Sequence, residues 1–423
     1  MARNSVSPTA KRDDTAPAQY QDQSLKSIID DSPFLSFHRD IVQIPSISKH
    51  EANVGSFIAE FLEAHNFTVV KQPVPTNSNN EKAPFNVFAY PSGSTPEDSQ
   101  ILLTSHIDVV PPYIPYSVRK GNATNSANKT QDSDSMIVSG RGSVDAKANV
   151  AAQVFAALER LSESPSTPLA LLFVVDEEAD AMGMRTFSAN RTLYDPENSK
   201  YRGIIFGEPT DGALVSGHKG ALGFTVRSTG RAAHSGYPWL GSSAISSILP
   251  ALSVLDKLGD IPPREGGLPS SKKYNQTTVN IGLMEGGVAS NVVPASANAT
   301  GLVRLAAGTH EDAAEIITCA VRRSVAEIKD ANVTVEFQRD DKGNLLGYPP
   351  QDLDTDVSGF PIAAVNYGTD IPNLQVASNV KRYLYGPGSI HVAHSDHEAL
   401  TVGELKDAVK GYKRLIDALA SSG

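Results

Sequence analysis

Seven apolar residues in a row, LALLFVV at 169–175, run directly into three acids, Asp176-Glu177-Glu178. The run is of strand length and lacks the alternation of a sheet with one wet face, so both its faces must be covered. Shorter runs at 101–104 and 203–206 read the same way and also end in ionisable residues. The first leads into Ser105-His106-Ile107-Asp108 and the second into Gly207-Glu208-Pro209. Between them, 147–161 reads as a helix, with Val150, Ala151, Val154, Leu158 and Leu161 on one stripe. Strand, helix and strand at these spacings mean an α/β fold, with a mostly parallel sheet flanked by helices.

Helices are expected at 35–43 and 51–65, the second with Val54, Phe57, Ile58, Phe61 and Leu62 on one face. Strands are expected at 68–74 and 86–90. Residues 113–135 are polar and should form an exposed insertion. The middle of the chain changes character: strand 222–228 alternates apolar and polar residues, and a helix follows at 243–258. Strands at 277–284 and 297–305, a helix at 311–328 and a strand at 333–337 complete a βαββαβ order. That order is a self-contained α+β unit with one solvated sheet face. A last helix starts at Thr401, with Glu404 three residues on as a capping box. It turns Leu405, Val409, Tyr412, Ile416 and Leu419 inward. The expected organisation is a disordered leader at 1–25, a catalytic domain at 26–215 and 341–423, and an inserted lid at 216–340.

Net charge is −10, with no run of basic residues. Phosphate binding needs a concentrated Lys/Arg surface, so a nucleic-acid partner is excluded. No apolar stretch reaches the roughly 18 residues of a membrane span, and a soluble protein is expected. The single cysteine, Cys319, rules out an internal disulfide and a thiolate zinc site. Glycosylation acceptor sequences stand at Asn66, Asn122, Asn128, Asn190, Asn275, Asn298 and Asn332. They point to a secreted, extracellular glycoprotein, although the polar N-terminus carries no apolar signal core. Lys11-Arg12 would suit a dibasic processing protease.

The chemistry gathers at strand ends, where ligands of open α/β sheets collect. Besides His106, Asp108, Glu177, Glu178 and Glu208, Asp145 closes the turn GRGSVDAK before its helix. HVAHSDHE, with His391, His394 and His397, follows a Gly-Pro-Gly turn. Any one of these residues alone reads as an ordinary structural side chain. Five strand ends each delivering His, Asp or Glu do not, because burying such charges unpaired costs several kcal/mol per ion. A divalent cation removes that penalty. Histidine and carboxylate donors without thiolate suit zinc, with manganese or cobalt also open. His106 and Asp108, two apart on an extended segment, share one side, so Asp108 can fix the imidazole tautomer.

The segments SHIDVVPP (105–112), GRGSVDAKA (140–148), VVDEEADAMG (174–183), FGEPTD (206–211), AAHSGYP (232–238), ASNVVPA (289–295), YGPG (385–388) and AHSDHE (393–398) stand in a recognisable order. In that order the chain resembles the dinuclear-zinc exopeptidases and amidohydrolases. That family includes glutamate carboxypeptidase, acetylornithine deacetylase, succinyl-diaminopimelate desuccinylase and aminoacylase, and the chain looks most like fungal-type secreted zinc carboxypeptidases. The resemblance implies two zinc ions bridged by Asp145, with His106 and Glu208 completing one site and Glu178 and His394 the other. It makes Glu177 the general base that deprotonates the bridging water. The middle unit would be a lid and homodimerisation domain whose His234 helps to stabilise the oxyanion, often in the partner subunit. Asn291 and Arg304 match substrate contacts, with Arg304 clamping a free carboxylate. Gly368 and Thr369, in GTD at 368–370, resemble another substrate-side loop.

Ser105, Ala146 and His397 depart from the family's usual Gly, Asp and Asn, and the continuation DEEADAMG lacks its glycines. None of these changes removes a ligand, so they bear on substrate choice. The expected substrate is a small peptide cleaved beside its C-terminal carboxylate, by a carboxypeptidase or a dipeptidase. The alternatives are an N-acyl-amino-acid amidohydrolase, an amide-forming biosynthetic enzyme on the same scaffold, and a catalytically dead binding relative.

Overall fold

The apolar runs become neighbouring strands. The computed structural model describes residues 23–76, 83–121, 133–328, 332–340 and 342–421. Its central sheet sets Phe67–Pro73, Phe85–Pro91, Leu169–Val174, Ile101–His106, Gly203–Gly207 and Lys381–Tyr385 side by side in that order. Only Phe85–Pro91 runs against the others. Every residue of the three predicted core strands is buried. Alternate side chains serve opposite faces, and both faces are dry. Leu103, Leu171 and Phe173 pack with the helices Pro33–Gln43, Ala52–Ala64, Lys147–Glu163 and Val402–Ser421. Leu102, Leu172 and Ile204 pack with Met184, Phe187, Tyr194 and Tyr201 on the other side.

Register then positions the site. His106 pairs with Val174, Thr104 with Phe206, and Tyr385 with Gly207. The carboxyl ends are therefore level, and residues 106–108, 176–178, 208 and 386–394 leave the sheet along one edge. Gly207 permits the close approach of Lys147–Glu163: a β-carbon there would lie 2.6 Å from Gln153 Nε2 and 2.9 Å from Tyr412 Oη. The last helix carries the predicted cap, with Thr401 N–H donating to Glu404 Oε2 at 2.7 Å and Glu404 N–H to Thr401 Oγ1 at 3.1 Å. Its five predicted inward residues are all buried.

The chain leaves this body after strand Leu214–His218 and forms a second, fully antiparallel sheet. Its order is Thr278–Gly286, Ser296–Leu305, Gly220–Thr229 and Asn332–Phe337. Helices Ala244–Asp256 and His310–Ser324 cover one face, with Leu222, Phe224, Val226 and Val303 beneath them. The outer strands alternate or stay exposed, as a half-solvated sheet requires. The chain returns through Gly347–Tyr348, which still pairs with Leu222 and Ala221. Gln351–Asp352 and Ile362–Val365 then flank Leu214–His218 at the junction.

Two expectations change. Residues 23–25, read as leader, begin the helix Gln23–Asp30, whose Leu25 and Ile29 pack against Leu35, Val42 and Val118. The apolar i, i+3, i+4 spacing of Leu25, Ile28 and Ile29 is the reason; the rest of the leader lies outside the described residues. The insertion at 113–135 is built into the body at its start: Ser117–Arg119 pairs with Ile137–Ser139, and Tyr116 and Val118 are buried. Residues 122–132, with the acceptors Asn122 and Asn128, lie outside the described residues.

Two buried histidines make stability depend on pH. His38 bonds Ser143 O at 3.1 Å, and His218 contacts Lys219 O at 2.8 Å and Thr369 Oγ1 at 3.1 Å. Burial, the largest cause, lowers each pKa to about 4. The unfolded chain therefore takes up protons that the folded one refuses between pH 6.5 and 4, and stability is lost as pH falls through that window. Each group accounts for up to roughly 3 kcal/mol. Urea unfolding at pH 7 and pH 5 should show a smaller acid loss for His38→Gln than for the parent. An identical loss in both would mean that His38 already takes a proton in the folded state.

Candidate metal centre

Asp145 sits where two clusters meet. Its Oδ1 lies 3.0 Å from His106 Nε2, and its Oδ2 lies 3.2 Å from His394 Nε2. Glu208 Oε2 lies 3.8 Å from the same His106 nitrogen, and Glu178 lies 3.0 Å from that of His394. His106, Asp145 and Glu208 form one triad and Asp145, Glu178 and His394 the other, with the ligand atoms of each within 4.8 Å of one another. All five predicted ligands are thus together, and Asp145 is common to both sets.

The electrostatics fit a site for divalent cations. Burial raises Glu177 well above the usual carboxylate range and raises Glu178 to about 7, and it raises Glu208 as well. Burial opposes a charge on His106, but Glu208, Asp108 and Asp145 outweigh it and hold the ring well above its ordinary value. Hydrogen bonds to Asp145 and Glu178 lift His394 to about 10. In Asp145 burial acts upward, yet the bonds to the two histidines keep it below the usual range. Divalent ions would balance such a set of close imidazoles and carboxylates. The oxygen and nitrogen donors, without sulfur, fit two such ions.

Glu177 belongs to neither triad, although it neighbours Glu178 on the turn after Leu169–Val174. That turn is held from outside. Asp108 accepts from the N–H groups of Glu177 and Glu178 at 3.0 Å each, and from Ser48 Oγ at 2.7 Å. Asp108 thus does more than fix a tautomer. His106 Nδ1 is nearer the Asp108 main-chain oxygen, at 3.0 Å, than the carboxylate, at 3.5 Å. Asp108 orients the ring mainly through its backbone and the turn of Glu177 and Glu178 through its side chain. The Asp145–Ala146 peptide is cis.

A cavity of about 1220 Å³ opens over the cluster. Asp145, Glu177, Glu178, Glu208, His394, Arg304, Gly368 and Thr369 all line it. Arg304 bonds the Tyr348 hydroxyl. Gly368 leaves room for that pair, since a β-carbon would run into the Tyr348 hydroxyl and the Arg304 guanidinium. Thr369 Oγ1 is occupied by His218 and by the Ile371 N–H. Of seven non-glycine residues with positive φ among those described, Lys49, Asp176, Ala181 and His394 border this cavity. Such backbone costs roughly 1–2 kcal/mol per residue and persists only where surroundings enforce it.

His234 and Asn291 do not reach the cavity of their own chain. Both are exposed and adjacent to each other: Ser235 N–H donates to Asn291 O at 2.9 Å, and His234 bridges to Val292. The lid sheet explains the separation. Arg304 pairs with Ala221 at the junction end, while Ser296 pairs with Thr229 at the other. At 3.3 Å per residue those ends are roughly 26 Å apart, and His234 lies beyond the far one.

Sequence reasoning left Glu398, Arg141 and Glu51 without roles and placed Asp370 only within the substrate-side loop at 368–370. Glu398 Oε1 accepts the Val144 and Asp145 N–H groups at 2.9 and 3.0 Å, and its other oxygen meets Arg141 at 2.6 Å. Arg141 also donates to the carbonyls of His394 and Ser395. The pair, separated by 257 positions, therefore ties Asp145 to the segment of His394. Asp370 is buried, raised to about 7 chiefly by that burial, and bonded to Asn373. Glu398 and Asp370 stand inside motifs noticed in the sequence, but pairings this remote leave no local signal.

The family profile described as a peptidase dimerisation domain matches residues 216–324. A probable carboxypeptidase of Aspergillus niger is 61% identical over 396 residues, covering 93% of this chain and 92% of that protein. Among solved structures, the dipeptidase Dug1p of Saccharomyces cerevisiae superposes with a TM-score of 0.70 at 15% identity, covering 95% and 98% of the two chains. The Bacillus subtilis YXEP protein, a dinuclear metal-binding peptidase of the M20 family, gives 0.58 at 14% identity over 95% and 100%.

The Arg141–Glu398 pair is almost fully buried, with side chains 2% and 1% exposed. Arg141→Met leaves Glu398 charged and uncompensated, which costs about 3–5 kcal/mol. Arg141→Met with Glu398→Gln should be more stable than Arg141→Met alone. Denaturant midpoints decide it, and an unaltered midpoint in Arg141→Met would show that the pair holds nothing together.

Proposed function

The chain belongs to the M20 peptidase family, a hydrolase family, and from that premise we propose a two-zinc carboxypeptidase that removes a residue bearing a free carboxylate. Manganese or cobalt would suit the same donors. The observation that supports this most is one cavity lined by four of the five candidate ligands, Asp145, Glu178, Glu208 and His394, together with Glu177 and Arg304. Two divalent ions held by His106, Asp145, Glu208, Glu178 and His394 would supply Lewis acidity and a water of lowered pKa.

The chain's own groups do the rest. Arg304, kept in place by Tyr348, receives the terminal carboxylate as a two-pronged donor. Glu177 takes a proton from the attacking water at its carboxylate and passes it to the leaving nitrogen. Burial from solvent strengthens both interactions.

Glu177→Gln should keep its metal content and lose about two to four powers of ten in kcat on N-blocked dipeptides. Metal analysis with kinetics on N-blocked dipeptides and N-acetyl amino acids tests this. Near-normal turnover would rule out the assigned base, and a preference for N-acetyl amino acids would make the enzyme a deacylase.

We further assign the lid as the surface of a homodimer that brings His234 and Asn291 to the partner's cavity. Tyr237, Trp239, Leu240, Leu283, Met284 and Val288 are exposed on the same lid, a patch suited to a second copy. Mixing inactive His234→Ala with inactive Glu177→Gln should restore about a quarter of the sites, because each heterodimer regains one intact pair. No recovery after subunit exchange would place His234 outside the reaction or in its own site. The exposed acceptors Asn66, Asn275 and Asn332 agree with a secreted glycoprotein.

A further inference from the structure

Three consecutive amides of the base-bearing turn end on carboxylates that lie outside it. Glu177 and Glu178 donate to Asp108, and the preceding Asp176 N–H donates to Glu51 Oε1 at 3.2 Å. The same Glu51 oxygen accepts the Lys49 N–H at 2.7 Å. Lys49 and Asp176 both have left-handed backbone, with φ of 76° and 64°. One acceptor therefore fixes two conformations that ordinary residues avoid. Lys49 Nζ closes a second contact between these turns, 2.8 Å from Asp180. Ser48, next in the loop, holds Asp108.

Glu51 is 0% exposed, and burial raises its pKa to about 8. It stands at the start of helix Ala52–Ala64 but makes no side-chain cap there. Its carboxyl group instead reaches across 125 positions of sequence. Burying such a group is costly unless its hydrogen bonds repay it, and a helix start needs no such group. The oxygen it offers to Asp176 accounts for its place.

We propose that Glu51 is a positioning residue for hydrolysis: by holding the Asp176 amide, it aims the Glu177 carboxylate into the cavity. This rests on Glu177 being the base. An acceptor that drifts lets the turn relax, and a misplacement of about 1 Å at a reacting group costs on the order of 100-fold in rate.

Four forms of the full chain test it: parent, Glu51→Ala, Glu51→Asp and Glu51→Gln. Gln keeps an oxygen at the same reach without the ionisable group, and Asp keeps the carboxyl but withdraws the oxygen by one methylene. Two readouts are used, amide hydrogen exchange across residues 174–179 of the metal-free protein and steady-state kinetics of the metal-loaded enzyme. In Glu51→Ala and Glu51→Asp the segment should exchange about tenfold faster or more. Their kcat should fall about 100-fold, with KM within about threefold of the parent and metal content unchanged. Glu51→Gln should regain most of the protection and about tenfold or more of the lost kcat. If Ala fails to fold, the contrast of Asp with Gln carries the test. Unaltered exchange in the Asp variant overturns the proposal, as does a Gln variant no better than Asp. Fast exchange with parental kcat also overturns it. A parent inactive on every substrate would instead sink the Glu177 reading, leaving exchange to decide whether Glu51 holds the turn.

Discussion

Crowded negative charge at one sheet edge governs the rest of the molecule. Asp145, Glu177, Glu178, Glu208 and Asp370 share that edge with His106 and His394. Of these acids Asp145, Glu208 and Asp370 have less than a tenth of their surface exposed. Burial pushes most of the carboxyls toward the neutral form, because water would solvate so many charges far better than the protein does. A fold keeps such an arrangement only by over-determining it. The level ends of the parallel strands do part of that, and buried acceptors do the remainder. Glu398 receives the amides of Val144 and Asp145, Asp108 those of Glu177 and Glu178, and Glu51 the one before them. Carboxylates are thus used twice, once in the clustered triads and once as anchors for the backbone that presents them.

The antiparallel lid works as a spacer with two differently equipped ends. Its junction end brings Arg304 over the cluster, where Tyr348 and Gly368 shape the guanidinium's surroundings. Its far end carries His234 and Asn291 beside exposed aromatic and aliphatic side chains. Because the register between Ser296–Leu305 and Gly220–Thr229 is continuous, no local adjustment can bring the far end back. A rigid sheet of that length makes a second chain the direct way to use both ends at one cavity.

Much of this was legible in sequence, for reasons that also mark where it stops. The unpatterned runs at 101–104, 169–175 and 203–206 could only be covered strands, and the acids that follow them had to emerge at one edge. Thr401 and Glu404 announced a helix start by chemistry confined to four residues. The helix Gln23–Asp30 was missed because its stripe is short and follows a polar stretch. Asp108 was assigned to the imidazole because two residues on an extended segment share a side. Such a spacing rule covers only the local strand, whereas the amides of Glu177 and Glu178 come from its neighbour. Arg141 with Glu398, and Glu51 with Asp176, are long-range pairings that no spacing rule reaches.

The chain's overall charge sharpens the part played by Arg304. A net charge of −10 repels an anionic substrate at long range, but at physiological ionic strength that field decays within about 8 Å. Recognition of the proposed substrate carboxylate must therefore be made at contact, by a cation that is already partly desolvated and not neutralised by a neighbour. Lys49 lines the cavity but is spent on Asp180. Arg304 bonds a neutral tyrosine and, among the described residues, has no acidic partner. Arg185 and Arg339 line the cavity as well, with Asn373 and the Gly343 carbonyl as partners, and the planar fork of Arg304 stands beside Gly368. In the proposed reaction it is this contact with Arg304 that sets which end of a peptide enters first.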